Sequence, residues 1–98
     1  MLHIVNRSPL NTTAFDTLDR LASHGALLLI EDAVYAATEG NAAAGQLARL
    51  GEKLTIYALA PDLQARGMAD RVLPSVNLVD YAGFVDLVVE QPNCQSWL

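Results

Sequence analysis

The run Ala26-Leu27-Leu28-Leu29-Ile30, followed at once by Glu31-Asp32 and then by Ala33-Val34-Tyr35-Ala36-Ala37, decides the fold class. A short apolar run without alternation is typical of a strand buried on both faces. The acid pair marks the turn after the strand, and the alanine-rich segment predicts a helix. We therefore expect a strand-to-helix corner of a parallel α/β sheet. In open sheets of this kind, ligands usually bind at the carboxyl ends of the strands.

The rest of the chain alternates apolar runs with helix signals, which predicts a three-layer α/β/α domain with a mainly parallel sheet of four or five strands. Residues 1–98 are expected to form this single small domain. The predicted strands are residues 2–5, 26–30, 53–59 and 76–79, with 95–98 as either a fifth strand or a docked tail. The predicted helical segments are a first helix over Phe15 to Ala22, residues 33–38, 42–50 and 61–66, and a last helix that Asp80 caps and Pro92 closes.

Two of the predicted helices carry apolar faces. Thr12 or Thr13 is expected to cap the first helix and Gly25 to end it, whereas Asp80 is expected to cap the last one. Helical spacing places apolar residues of each helix on a shared face. In the first helix these are Phe15, Leu18, Leu21 and Ala22. In the last helix they are Tyr81, Phe84, Val85, Val88 and Val89.

The composition describes a small acidic domain with more apolar residues than it can easily bury. Of its 98 residues, 52% are hydrophobic and 17% are charged, and the formal net charge is -5. A domain of this size leaves much of its surface exposed, so we expect it to associate with other chains. The six Lys and Arg residues are scattered along the sequence, which argues against direct nucleic-acid binding.

The sequence also indicates where the protein works. We find no secretory leader, and no apolar run approaches the roughly 20 residues of a membrane span. The single cysteine excludes an internal disulfide framework and fits a reducing compartment. We therefore expect a cytoplasmic protein without a membrane partner.

The thiol and imidazole side chains do not form a catalytic or metal-binding set. Cys94 lies between Asn93 and Gln95, with no cation close in sequence to stabilise a thiolate, so an ordinary tail cysteine is favoured over a relay cysteine. His3 and His24 lack the spacing of metal ligands, and we expect them to have structural roles. No metal site is predicted.

The acidic side chains near the predicted strand ends also favour structural roles. Glu31 and Asp32 face opposite ways on an extended chain, so capping of the following helix by Asp32 is favoured over acid–base catalysis. Asp62 and Arg66, four residues apart, predict a surface ion pair. The glycines do not form a phosphate-binding pattern, and no cofactor is expected.

Four segments in order along the chain resemble the DsrH/TusB family, the small subunits of the DsrE/F/H type of sulfur-relay proteins. These segments are Met1-Leu2-His3 with Ser8-Pro9; the corner Leu27-Leu28-Leu29-Ile30-Glu31-Asp32-Ala33-Val34-Tyr35-Ala36-Ala37; Tyr57-Ala58-Leu59 with Asp62-Leu63 and Ala65-Arg66-Gly67; and Asp80-Tyr81-Ala82-Gly83-Phe84-Val85-Asp86-Leu87 with Trp97. None of them is specific alone. Their order, their spacing and the total length carry the resemblance.

The resemblance implies a B-type (H-type) subunit of a heterohexamer built from three homologous chains, with partners of the C/F and D/E types. In one branch such a complex passes persulfide sulfur toward 2-thiouridine at the tRNA wobble position; in the other it serves dissimilatory sulfur oxidation. The relay cysteine lies on the D/E-type partner. Some H-type chains also carry a cysteine in the first helix, where this chain has Leu18. The departure implies a structural subunit that is not an enzyme by itself.

Two other functions stay open at this point. One makes Cys94 a persulfide acceptor, so that the chain would be a sulfur carrier. The other, from a different class, is a regulatory domain that binds a small molecule or anion at the strand ends. For the structural subunit, the interface candidates are Tyr81, Phe84 and Trp97, because aromatic side chains anchor protein contacts through large buried area.

Overall fold

The computed structural model describes residues 1–21, 24–91 and 93–97, which form a five-stranded sheet flanked by helices. The strands are β1 (Leu2–Val5), β2 (Gly25–Leu29), β3 (Leu54–Leu59), β4 (Asn77–Val79) and β5 (Cys94–Trp97). The α-helices are α1 (Ala14–Leu21), α2 (Ala44–Leu50), α3 (Ala60–Ala65) and α4 (Tyr81–Glu90). Two 3-10 helices span Pro9–Asn11 and Glu31–Ala37, and the second is called the corner helix below. The predicted parallel α/β fold is confirmed.

The strand order β4-β3-β2-β1-β5 places the helices on both faces of the sheet. All four strand pairs are parallel. The chain steps in one direction from β1 to β4 and then returns across the sheet, so that β5 lies on the far side of β1. Because crossovers between parallel strands are right-handed, this reversal sends the last helix to the opposite face. One apolar cluster accordingly contains α1, the corner helix, α2 and α3, and the other contains α4.

The centre of the sheet is β2, the strand that the opening apolar run predicts. Ala26, Leu27, Leu28 and Leu29 are each at most 2% exposed. Leu27 and Leu29 belong to the cluster under α1, whereas Ala26 and Leu28 belong to the cluster under α4. The strand is therefore buried on both faces, as its lack of alternation predicts.

The face that carries α4 is thinly covered. Phe84 and Leu87 of α4 pack against a strand cluster on this face. Its main strand residues are Leu2, Ile4, Ala26 and Leu28. Five strands spaced by about 4.8 Å make a sheet about 19 Å wide, whereas a helix with its side chains is only about 10 Å across. A single helix thus covers about half of this face.

Two expectations about α1 and its end are wrong. Leu21 does not share the buried face with Phe15 and Leu18 but is 74% exposed at the last helical residue, and the predicted Ala22 lies outside the described residues. Gly25 is the first residue of β2 rather than the end of the helix. Its φ is 123°, and a Cβ there would lie 2.3 Å from the carbonyl oxygen of Met1, so close backbone approach explains the glycine.

The predicted caps of α1 and α4 are confirmed. Thr12 Oγ1 accepts a hydrogen bond of 3.1 Å from the N–H of Ala14, and Asp80 Oδ1 accepts one of 2.8 Å from the N–H of Gly83. Gly83 also brings α4 close to the sheet, because a Cβ at this position would lie 3.0 Å from Val79 Cβ. The cap and the glycine together fix where α4 begins and how closely it packs.

Candidate functional site

Polar side chains gather at the carboxyl ends of β1, β2 and β3, where the sequence predicts ligand chemistry. Arg66 pairs with Asp32 at 3.0 Å and more weakly with Asp62 at 4.0 Å, so the predicted Asp62–Arg66 ion pair is confirmed. Asn6 Nδ2 approaches Glu31 Oε2 at 3.5 Å. Glu31 and Asp32 therefore contact different partners and do not form a carboxylate pair for acid–base chemistry.

The capping role expected of Asp32 is wrong. The corner helix begins at Glu31, and Asp32 lies inside its first turn, where its carboxylate accepts from Arg66 instead of from the helix backbone. The N–H of Glu31 donates to Asp62 Oδ2 at 2.6 Å. Asp62 of α3 thus accepts from a backbone N–H at the start of the corner helix that has no partner within the helix. Local sequence patterns do not reveal this contact, because it joins residues 31 positions apart.

The charge balance at this edge does not favour an anion. An open cleft of about 430 Å³ lies beside Asn6, Arg7 and Glu31. Arg66 already pairs with two carboxylates. Among the residues that line the cleft, Arg7 is the one cation, and the negative charge of Glu31 offsets its positive charge. The backbone of Glu31 has a φ of 51°, an unusual conformation for a residue other than glycine. The geometry gives no support to the anion-binding alternative.

His3 and Trp97 form a polar contact on the α1 side of the sheet edge. The indole Nε1–H of Trp97 donates to Nδ1 of His3 at 3.2 Å, and the two ring centroids lie 6.1 Å apart. Trp97 is half-buried and packs against the cluster that contains α1. His3 therefore has the structural role that the sequence predicts, as a neutral hydrogen-bond acceptor that ties β5 to β1.

This contact predicts a dependence of stability on pH. Burial lowers the pKa of His3 below its ordinary value of 6.5, and the N-terminal ammonium lowers it further. Below pH 6.5 the unfolded chain therefore binds a proton that the folded chain resists, so the free energy of unfolding should fall as the pH decreases through the folded pKa. Fewer than one proton is involved, so the slope should stay below about 1.4 kcal/mol per pH unit.

Thermal unfolding of His3→Gln between pH 7.5 and 5 checks this expectation. Glutamine keeps an acceptor for Trp97 but does not titrate, so this part of the pH dependence should disappear. His24→Gln is the control, because it removes the other imidazole of the chain. Equal pH dependence in wild type and His3→Gln would contradict the assignment.

Cys94 is exposed and is the first residue of the edge strand β5. It lies opposite Leu2 in the register with β1, which indicates that its side chain faces the α4 side of the sheet. Because all strands are parallel, Cys94 lies at the amino ends of the strands, away from the polar residues at the carboxyl ends. The thiol is thus separate from the other polar groups of the candidate site.

The structure describes the possible metal ligands within residues 1–21, 24–91 and 93–97. Within these ranges, no group of three His, Cys, Asp or Glu side chains is placed to hold a metal ion. His24 lies in the bend between α1 and β2 and is exposed. The described helices also include none long and apolar enough to cross a membrane.

The outward side of α4 exposes a stripe of large apolar side chains, called the α4 surface below. Its members are Tyr81 at 62% exposed, Val85 at 60%, Val88 at 41% and Val89 at 78%. The sheet divides the predicted stripe: Phe84 packs against the strand cluster, whereas the other four residues are exposed. Of the three interface candidates, Tyr81 is thus in the exposed stripe, and Phe84 and Trp97 are half-buried within the domain.

The parallel sheet, with helices on both faces and its polar residues at the carboxyl ends of the strands, defines an α/β domain of the open parallel-sheet class. A family model described as "DsrH like protein" matches residues 7–94. The chain therefore belongs to the DsrH family.

Individual relatives agree with this assignment over the full length. Protein TusB of Escherichia coli K12 is 42% identical over 98 residues, and Protein TusB of Buchnera aphidicola is 36% identical over 97 residues. Each alignment covers 99% of this chain and 100% of the relative.

The fold agrees with solved structures as well. The crystal structure of the ychN protein from E. coli superposes with a TM-score of 0.75 over 98% of this chain and 97% of that chain, at 15% sequence identity. The MTH1491 protein from Methanobacterium thermoautotrophicum superposes with the same TM-score of 0.75 at 16% identity, covering 98% of this chain and 96% of that chain. At such low identity these similarities establish the fold alone.

Proposed function

We propose that the chain is a structural, non-catalytic subunit of a sulfur-relay complex that passes persulfide sulfur toward 2-thiouridine at the tRNA wobble position. Membership of the DsrH family and the full-length similarity to TusB proteins support a sulfur-relay complex with other subunits. The finer proposal is a cytoplasmic heterohexamer in which this chain joins two homologous subunits, of the C/F and D/E types, without contacting nucleic acid itself.

The positions of Leu18 and of the one cysteine in the sequence support a structural role for this chain. Leu18 is 1% exposed in α1, and leucine offers no sulfur chemistry at the position where some H-type chains carry a cysteine. Cys94 is the only cysteine of the sequence and stands on the edge strand, where no ion pair or hydrogen bond of its side chain is formed among the described residues. A thiol that acts in sulfur transfer needs groups that stabilise its anion.

Assembly tests the proposal directly. Co-expressed with its two homologues, the chain should elute with them as one complex in size-exclusion chromatography, and light scattering should give the subunit count. A specific interface buries on the order of 1,600 Å² in total, which should make the association stable enough to detect at micromolar concentration. A chain that stays monomeric and binds neither homologue would contradict the proposal.

Replacing the thiol separates the structural subunit from the sulfur carrier. In the assembled complex, Cys94→Ser should leave the rate of sulfur transfer nearly unchanged, because the substitution changes one exposed side chain outside any polar cluster. The measurement is persulfide loading of the complex and formation of 2-thiouridine in tRNA. Loss of either activity would replace the structural role with the sulfur-carrier alternative.

A further inference from the structure

The α4 surface is bordered by two carboxylates on one side only. At 3.6 residues per turn, Val88, Tyr81, Val85 and Val89 cover one continuous arc of the helix. Asp86 and Glu90 occupy the next arc, before the helix turns inward at Gly83. Both acids are exposed. The helix is thus apolar on its inner and outer sides, and its polar residues are confined to one edge.

A helix that is apolar on nearly all sides is usually buried in a larger structure. Among the residues that the structure describes, the strand cluster that Phe84 and Leu87 contact covers the inner side of α4 alone. The exposure of the α4 surface, from 41% to 78% for its four residues, leaves the outer side in water. A neighbouring chain would remove this apolar area from water.

The charges of Asp86 and Glu90 indicate which side chains the neighbouring chain should present to α4. Asp86 and Glu90 lie four residues apart, a spacing at which like charges repel each other on a helix. Within residues 1–21, 24–91 and 93–97 neither side chain forms an ion pair or hydrogen bond. Cationic side chains placed across an interface would relieve this repulsion and would orient the partner.

A second copy of this chain meets that requirement poorly. If two α4 surfaces packed antiparallel about a two-fold axis, the acid borders of both helices would fall on the same side of the interface, bringing four carboxylates together. Each copy also carries a net charge of -5. Like charges brought together across an interface oppose association.

We propose that the α4 surface docks onto a different subunit that presents apolar side chains bordered on one side by Lys or Arg residues facing Asp86 and Glu90. This inference rests on the proposed function, since the partner is one of the homologous subunits of the relay complex. The apolar stripe supplies the contact area, and the acid pair selects the partner and its orientation.

Two double variants of the complete chain test the two parts of the proposal. Val85→Asp with Val89→Asp places charge in the stripe, and Asp86→Lys with Glu90→Lys reverses the border. Each should weaken association with the homologous subunits at least tenfold, measured by titration calorimetry or by co-elution at decreasing concentration. Raising the salt concentration should weaken the wild-type complex and affect the lysine variant less.

Matched variants elsewhere on the domain are the controls. Leu10→Asp with Leu21→Asp places two carboxylates at exposed leucines of the opposite face, and Glu52→Lys with Asp70→Lys gives the same change in net charge as the border variant. Both controls should bind like wild type. Circular dichroism and thermal unfolding of each isolated variant show whether it has folded.

A cross-linking measurement on the wild-type complex does not depend on any variant. A carbodiimide, which joins carboxylates to amines without a spacer, should link Asp86 or Glu90 to a lysine of the partner subunit. A link from Asp86 or Glu90 to the partner subunit supports the docking site, whereas wild-type affinity in both folded α4 variants would overturn it while leaving the proposed function intact. Absence of any complex in the wild type would remove both, and a self-dimer abolished by the stripe variant would overturn the choice of partner.

Discussion

Replacing Leu28 with alanine should lower the free energy of unfolding by about 3 to 5 kcal/mol, the range for fully buried leucines whose removal leaves a cavity. Leu28 is 0% exposed in the central strand and lies in the cluster beneath α4. Because α4 is the one helix on this face in the described part of the chain, few side chains can move in to fill the space. The melting temperature should fall by more than about ten degrees, since 1 kcal/mol corresponds to roughly 4 to 8 °C in a domain of this size.

The matched control is the same substitution at an exposed leucine. Leu21→Ala removes the same atoms from a side chain that is 74% exposed, and it should change the free energy of unfolding by less than about 0.5 kcal/mol. Denaturant and thermal unfolding of the isolated domain measure both. Similar losses in the two variants would contradict the burial that the structure assigns to β2.

Replacing Trp97 with alanine should cost about 3 kcal/mol, the lower end of the range for large aromatic side chains, because Trp97 is only half-buried. The variant loses packing against the α1 cluster and the hydrogen bond to His3. Thermal unfolding should be measured for the isolated chain and for the assembled complex. A loss in both settings places Trp97 in the domain's own core, and a loss only in the complex places it at an interface.

Trp97→Phe separates the two contributions. Phenylalanine keeps most of the apolar area but has no N–H to donate to His3, so we expect a smaller loss, of about 1 kcal/mol for the hydrogen bond beyond the change in area. Unchanged stability of Trp97→Ala, both alone and in the complex, would mean that β5 does not anchor the sheet edge.

The order of strands and helices was predictable because each element is signalled by nearby residues. The apolar run at residues 26–30 has no alternation, which indicates burial on both faces whatever the rest of the chain does. Caps such as Thr12 and Asp80 bond to residues two or three positions away, so local sequence is enough to predict them. The family resemblance added the class of complex, which these local signals do not contain.

Apart from the local Asp62–Arg66 pair, the contacts that define the candidate site were not predictable, because they join residues far apart in sequence. Asp62 closes the corner helix from 31 positions away, and Trp97 reaches His3 from 94 positions away. A residue such as Asp32 is a good cap by type, but the approach of Arg66 gives it another partner. Only the folded arrangement decides between such competing interactions.

The two sides of α4 show a second limit of sequence patterns. Periodicity reveals that Tyr81, Phe84 and Val85 lie on a helix, but apolar residues on an inner and an outer side follow the same pattern. With Leu87 included, the helix is apolar on most of its circumference. The position of the sheet is needed to decide which residues are core and which are left for another chain.

The pairing of β1 with β5 delays completion of the sheet until β5 has left the ribosome. Leu2 lies opposite Cys94, so β1 gains its second neighbour only after almost every other residue of the domain has been made. Pairings this distant in sequence form slowly because a long loop must close first. Until β5 emerges, one edge of β1 presents open backbone groups that other nascent chains can pair with. Efficient folding therefore depends on how quickly β5 reaches β1 after it has been made.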